Sequence, residues 1–313
     1  MMDATTAGRT SRALELIHSM TYFLPETQDA LVAAGLPPRA CYFAGRAAPL
    51  GRVGAGVVTA TFYNFNRELL APLIPAAWDI ASPDEIMAIR YATLDAAFAR
   101  LLGSEVLTSA DMSEAADLAS IAARGIPGDD GRPLYAAYAE LDWPTAPHLM
   151  LWHALTLIRE YRGDGHIAAL QTAGLSGLEA LITHTATGYG FEKEFARKRR
   201  GWSTEQWDGA VASLADRELL SSDGALTQDG KDLRALVEDI TNDLAVSPWA
   251  ALGEDGAARL VSLATPWRES IVGQGVIPEA SSGLRSRGSN PPQLVMSLVP
   301  KRRHAISRTV PRT

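Results

Sequence analysis

Residues 203–241 read STEQWDGAVASLADRELLSSDGALTQDGKDLRALVEDIT, and this stretch decides the architecture of the C-terminal half. Ser203, Thr204, Glu205 and Gln206 make a capping box, in which the Ser hydroxyl accepts from the amide three residues on and the Gln side chain returns to the cap amide. Behind the cap, Trp207, Val211, Leu214 and Ala215 recur at helical spacing on one face. Leu219 and Leu220 then lead into Ser221, Ser222, Asp223 and Gly224, turn-forming residues that predict a short hairpin with Ala225 and Leu226 as its returning strand. Thr227 caps a second helix, whose buried stripe is Leu233, Leu236, Val237 and Ile240.

Working outward, nearly everything upstream predicts helix. Residues 11–20 have helical apolar spacing, and Pro25 and Glu26 open a helix that Gly35 and the Pro37-Pro38 pair stop. Ser82-Pro83-Asp84-Glu85 combines a Ser cap, Pro at the first helical position and acids in the first turn, where the helix dipole favours them. That helix runs to Leu101 or Leu102 and ends at Gly103. Residues 109–124 form an Ala-rich helix closed by Gly125, residues 134–141 another, and Pro147 precedes a long helix over 148–161. Gly163-Asp164-Gly165 reads as its break, followed by a short helix over 166–173 and a capped helix from Ser176 to 187. Residues 193–200 read as a basic linker. Residues 57–63, VVTATFY, are rich in β-branched and aromatic side chains and fit a strand or a helix.

The expected architecture is mainly α: an N-terminal helical domain over 1–147, a winged helix-turn-helix domain with a short β-hairpin wing over 148–272, and a basic, disordered tail over 273–313. In winged-helix order, residues 176–187 are the supporting helix and residues 203–217 the recognition helix.

The 313 residues are 47% hydrophobic and carry a net charge of −7. Residues 273–313 hold seven Lys or Arg and one acid, Glu279, a contribution of +6 that leaves −13 for the rest. A body this acidic repels phosphate backbones except where basic residues cluster. Apolar runs stop well short of the roughly 18 residues that span a bilayer, and the N-terminus lacks a signal pattern, so a cytoplasmic protein without membrane partners is expected. The single cysteine, Cys41, excludes an internal disulfide and a thiolate metal cluster.

From 152 to 244 the chain resembles the winged-helix regulators of the MarR type, through Leu214-Ala215-Asp216-Arg217-Glu218-Leu219-Leu220 and Leu226-Thr227-Gln228-Asp229-Gly230. Over 10–275 it is similar to an actinobacterial family of helix-turn-helix proteins, through Phe43-Ala44-Gly45-Arg46-Ala47-Ala48-Pro49-Leu50-Gly51, Thr61-Phe62-Tyr63-Asn64-Phe65, Leu151-Trp152-His153-Ala154 and the run from Arg159 to His166. The resemblance implies double-stranded DNA as partner and a homodimer on paired half-sites. It brings no activity and names no cofactor. The wing tip lacks the arginine that MarR-type wings send into the minor groove, and the recognition helix carries Glu205, Asp208 and Asp216 against Arg217.

Two groups of residues are the functional candidates. For DNA they are Lys193, Arg197, Lys198, Arg199 and Arg200, suited to phosphate contacts, with Gln206 for base edges. For a small-molecule ligand they are Arg46, Trp152, His153, Arg159, Glu160, Arg162, Asp164 and His166. His153 and Glu160 lie two helical turns apart on one face; the alternative for this group is a structural ion-pair and capping network. The histidines show no metal-ligand spacing, and no nucleophile elbow or paired catalytic carboxylates appear. The expected function is a ligand-responsive transcriptional regulator. The alternative is a small-molecule-binding protein or enzyme in which the helix-turn-helix is only scaffold or dimer interface.

Overall fold

Asp3 accepts from the Thr6 amide and starts α1 (Ala4–Ser19). The chain continues through α2 (Pro25–Ala33), α3 (Pro38–Ala47), α4 (Ala55–Phe62), α5 (Arg67–Leu70) and α6 (Ile74–Ile80). Next come α7 (Pro83–Leu102), α8 (Ser104–Leu107), α9 (Ala110–Arg124) and α10 (Pro133–Ala139), then the long α11 (Pro147–Thr172). The C-terminal half adds α12 (Gly177–Thr185), α13 (Lys193–Arg199), α14 (Thr204–Asp216), α15 (Gln228–Asp243) and α16 (Ser247–Gly273), the last broken at Gly253, where φ is 81°. This computed structural model describes residues 2–188 and 192–276; the tail from 277 on lies outside the described residues.

Local sequence explains the helix starts. The capping boxes at Ser82, Ser176 and Ser203 are all complete, each Ser accepting from the third helical amide and each Glu or Gln bonding back. Ser109 and Thr227 cap α9 and α15 in the same way, without the reciprocal bond.

Two apolar cores form. The first gathers side chains from α1 to the first half of α11 and is closed by Trp249, Leu260 and Ile271 of α16. The second packs Ala169 and Leu170, at the end of α11, against Leu181, Trp207, Leu214, Leu220 and Val237. One helix, α11, therefore enters both.

The two-stranded wing does not form, and no strand occurs among the described residues. A single antiparallel bridge joins Leu220 to Leu226 around the turn. The arms are consumed by the flanking helices: Glu218 leaves α14 in the left-handed region at φ 57°, and the Thr227 cap hydroxyl donates to the Glu218 carbonyl at 2.6 Å. Gly230, in the first turn of α15, is pressed so close that a Cβ there would lie 2.1 Å from the Leu219 oxygen. Two residues a side leave no room for a ladder.

Residues 57–63 are helical, as α4 and its C-cap Tyr63. Gly163-Asp164-Gly165 does not break α11. These glycines give clearance instead, since a Cβ on Gly165 would sit 2.4 Å from Arg132 Nη1. Residues 193–199 are a helix, α13, rather than a linker. Cys41 is a buried free thiol.

Candidate functional site

Charge is concentrated where α1, α3, α7 and α11 meet. Glu160, 1% exposed, receives Arg46 Nη2 at 3.1 Å and Arg159 Nη1 at 2.7 Å, both on its Oε2. Burial alone raises its carboxyl; the Arg159 and Arg46 guanidinium groups outweigh this and hold it down at about 2. Its Oε1 has no hydrogen-bond partner and lies 4.0 Å from His18 Nε2. Thr156 donates its own proton to the Trp152 carbonyl, so its oxygen accepts from His18 Nδ1 at 2.9 Å. His18 Nε2 then accepts from the Tyr22 hydroxyl at 3.2 Å. His18 is thus neutral, its pKa held well below the ordinary value by burial and the surrounding arginines.

Arg90 sits behind this group with no carboxylate in reach. Its Nη1 donates to the Gly45 carbonyl at 2.7 Å and to Tyr138 at 2.6 Å, while Nη2 is buried without a partner.

A cavity of about 240 Å³ opens alongside, between α1, α11 and α16. Arg12, Glu15, His18, Arg159, Arg162 and His166 supply its polar wall, and Leu14, Leu155, Ile158 and Trp249 its apolar one. From that wall Arg162 reaches α15, donating to Glu238 at 3.2 Å and Asn242 at 3.0 Å. His166 meets α15 through Thr241 at 2.8 Å.

Of the proposed ligand residues, Arg159, Arg162 and His166 line the cavity, and Arg46 and Glu160 lie behind it. Trp152 is fully buried, stacked on His18 with its Nε1 on the His18 carbonyl. His153 does not converge with Glu160; it faces Tyr91, 2.8 Å away, and Trp143. Asp164 caps α10, accepting from the Leu134 and Tyr135 amides at 3.0 Å.

The C-terminal half contains a second arrangement. α13 ends at Arg199, a turn over 200–203 passes through Gly201 at φ 75°, and α14 starts on the Ser203 cap. α12 packs against both. A short glycine-containing turn between two helices braced by a third is helix-turn-helix geometry. The model of a helix-turn-helix family matches residues 7–278. The chain belongs to that family. No curated protein and no solved structure is found to match it.

The helix preceding the turn is α13, which the sequence presents as a linker, not the helix over 176–187. Lys193, Lys198 and Arg199 are exposed on it. Arg197 is turned inward, bonding the Trp202 carbonyl and Glu194, both at 3.0 Å. Arg200 lies over Phe65, its Cζ 4.3 Å from the ring centroid. Gln206 is spent locally: its Oε1 accepts from the Ser203 amide at 3.0 Å and from Asn66 at 3.1 Å. Glu205, Asp208 and Asp216 are exposed on α14, and Arg217 is paired with Glu179 at 3.0 Å.

The run 61–66 clasps this unit. Tyr63 donates its hydroxyl to the Leu175 carbonyl, the Asn64 carbonyl receives Trp202 Nε1 at 2.9 Å, and the Asn66 amide bonds the Arg200 carbonyl at 2.9 Å. Gly177 is required beneath it, since a Cβ there would meet the Tyr63 oxygen at 1.9 Å.

Sequence reasoning missed His18, Arg90 and Arg132. Apart from Tyr22 beside His18 and Met87 beside Arg90, their partners lie far away along the chain, so no spacing rule points to the group. Among the described residues no group of His, Cys, Asp and Glu is arranged to hold a metal ion, and no helix is long and apolar enough to cross a membrane.

Proposed function

We propose that this helix-turn-helix protein is a DNA-binding transcriptional regulator that responds to a small molecule held between α1, α11 and α16, and that it acts as a homodimer on paired half-sites. The observation that carries this is the course of α11. Its middle turns wall the cavity, its last turns pack in the helix-turn-helix core, and Arg162 and His166 tie it to α15. A shift of α11 or α15 on ligand binding is therefore felt by α14. The MarR-like reading is supported by residues 214–220 and 226–230, which flank the turn between α14 and α15.

DNA contact on this proposal is mainly to phosphates, through Lys193, Lys198 and Arg199. α14 presents acids to the outside, and its one base-reading candidate, Gln206, is engaged in the cap. Charge reversal at Lys198 and Arg199, with binding followed by fluorescence anisotropy across salt concentrations, tests it.

A second function is favoured by the acidic face of α14: a small-molecule-binding protein or enzyme in which the helix-turn-helix is scaffold or dimer interface. Absence of DNA binding in the same experiment selects it.

A further inference from the structure

We infer that the cavity takes a small organic anion, received by Arg159 and Arg162, and that binding acts on the helix-turn-helix by drawing Arg162 away from Glu238. This rests on the proposal above that the cavity is a ligand site, and it adds the ligand's chemistry and the switch.

Charge gives the sign. Three arginines line the cavity, Arg12, Arg159 and Arg162, against one carboxylate, Glu15. Arg159 already serves Glu160 and Glu15, at 2.7 and 3.5 Å. Arg162 is different: its Nη2 reaches Glu238 and Asn242, and its Nε is buried with no partner. A buried guanidinium N–H left unpaired costs stability; turned from Glu238 into the cavity, the Nε and Nη edge of Arg162 meets a carboxylate with two parallel bonds and recovers it. Arg159 and Arg162 are three residues apart on α11 and share its cavity face.

Size and lining give the rest. At about 240 Å³ the cavity exceeds the roughly 150 Å³ that holds a benzene ring and falls below the roughly 300 Å³ at which drug-sized pockets begin. Leu14, Leu155, Ile158 and Trp249 offer apolar surface to the body of the ligand. The fit is one ring or a short chain bearing one acid group, rather than a bare inorganic ion.

The switch follows from Glu238. It sits on α15, its side chain 41% exposed, and holds Arg162 from outside the cavity while also pairing with Arg234 at 3.6 Å. A ligand carboxylate and Glu238 compete for the same guanidinium. Binding loosens the Arg162 tie to Glu238 and Asn242, leaving Thr241, bonded to His166, to hold α15 against α11, and Asn242, packed on Gly8, to hold it against α1.

The test is titration calorimetry of the full chain with sodium cyclohexanecarboxylate, cyclohexanecarboxamide and inorganic phosphate. The carboxylate is expected to saturate one site, with the amide and phosphate at least tenfold weaker. Arg162→Gln is expected to weaken the carboxylate at least tenfold. Glu238→Gln, which keeps the side chain's size and an acceptor oxygen for Arg162, is expected to strengthen it severalfold by removing the competing charge. No binding, equal binding of the amide or phosphate, or unchanged binding in Glu238→Gln overturns the inference. DNA binding is read separately by anisotropy, so a chain that binds the carboxylate but no DNA refutes the regulator alone, and one that binds DNA but no carboxylate refutes the anion alone.

Discussion

The Asn66 side-chain amide donates to the Gly201 carbonyl at 3.1 Å, across 135 residues, so the N-terminal half holds the turn of the helix-turn-helix. The same nitrogen reaches Gln206 Oε1 at 3.1 Å, and Asn66 Oδ1 accepts from the Glu68 amide at 2.9 Å. Asn66 is 4% exposed, so no water replaces these bonds without rearrangement. Removing a buried partner leaves polar groups unpaired at about 1–3 kcal/mol. Asn66→Ala is expected to lower unfolding free energy by about that much in urea melts and to speed amide exchange over the turn at 200–203. Unchanged exchange there would mean that the clasp does not restrain the turn.

Gly165 tests the unbroken α11. Helix propensity alone predicts that Gly165→Ala stabilises by about 1 kcal/mol. The structure predicts the opposite, because the new methyl meets Arg132 Nη1 at 2.4 Å, displacing a guanidinium that bonds the Tyr161 carbonyl and lies 4.0 Å over the Tyr161 ring. Destabilisation by about 1–3 kcal/mol is expected from overpacking. A gain in melting temperature would show that Arg132 moves aside without loss.

Buried titrating groups set the acid side of the stability profile. His153 is held at about 4 by burial, and His166 at about 4 by burial first, with Arg234 and Arg162 adding to it. Both are below the ordinary 6.5, so the unfolded chain binds the extra protons, and the stability each contributes is lost as pH falls from about 6.5 to about 4. Asp164 runs against them: burial lifts it to about 6, so between about 4 and 6 it gives up stability as pH rises. His18 and His184, also held below their ordinary values by burial, add to the loss, while the buried Glu15 carboxyl, raised by burial, runs with Asp164; with the histidines in the majority, net stability falls on acidification through this window. His153→Gln is expected to flatten the profile between pH 6 and 4.5, measured by denaturant melts, and an equally steep profile would remove His153 from the account.

Much of this fold is written in local signals. Ser82, Ser176, Ser203 and Thr227 each cap the helix their sequence announces, because capping needs only three or four consecutive residues. The wing failed for a reason just as local in space but not in sequence: Thr227 bonds the Glu218 and Leu219 carbonyls as it caps α15, and Gly230 brings that helix's first turn against Leu219, so the returning arm ends after two residues. Gly165 looks like a breaker until Arg132 is known to pass beside it. The site was legible in part. Arg159, Arg162 and His166 share one helix face, whereas Arg46 reaches Glu160 across 114 residues and Arg90 carries no motif.

The central claim is that α13 carries DNA binding through phosphate contacts. It is tested most directly by anisotropy of the full chain on duplex DNA from its own upstream region and on a scrambled duplex, over a salt series, for the unmodified chain and for Lys198→Glu with Arg199→Glu. The account predicts binding that weakens steeply with salt, and a double variant weaker on both duplexes with its log-log slope reduced by about 2. Binding with an unchanged slope in the double variant, or no binding by the unmodified chain at low salt, would contradict it.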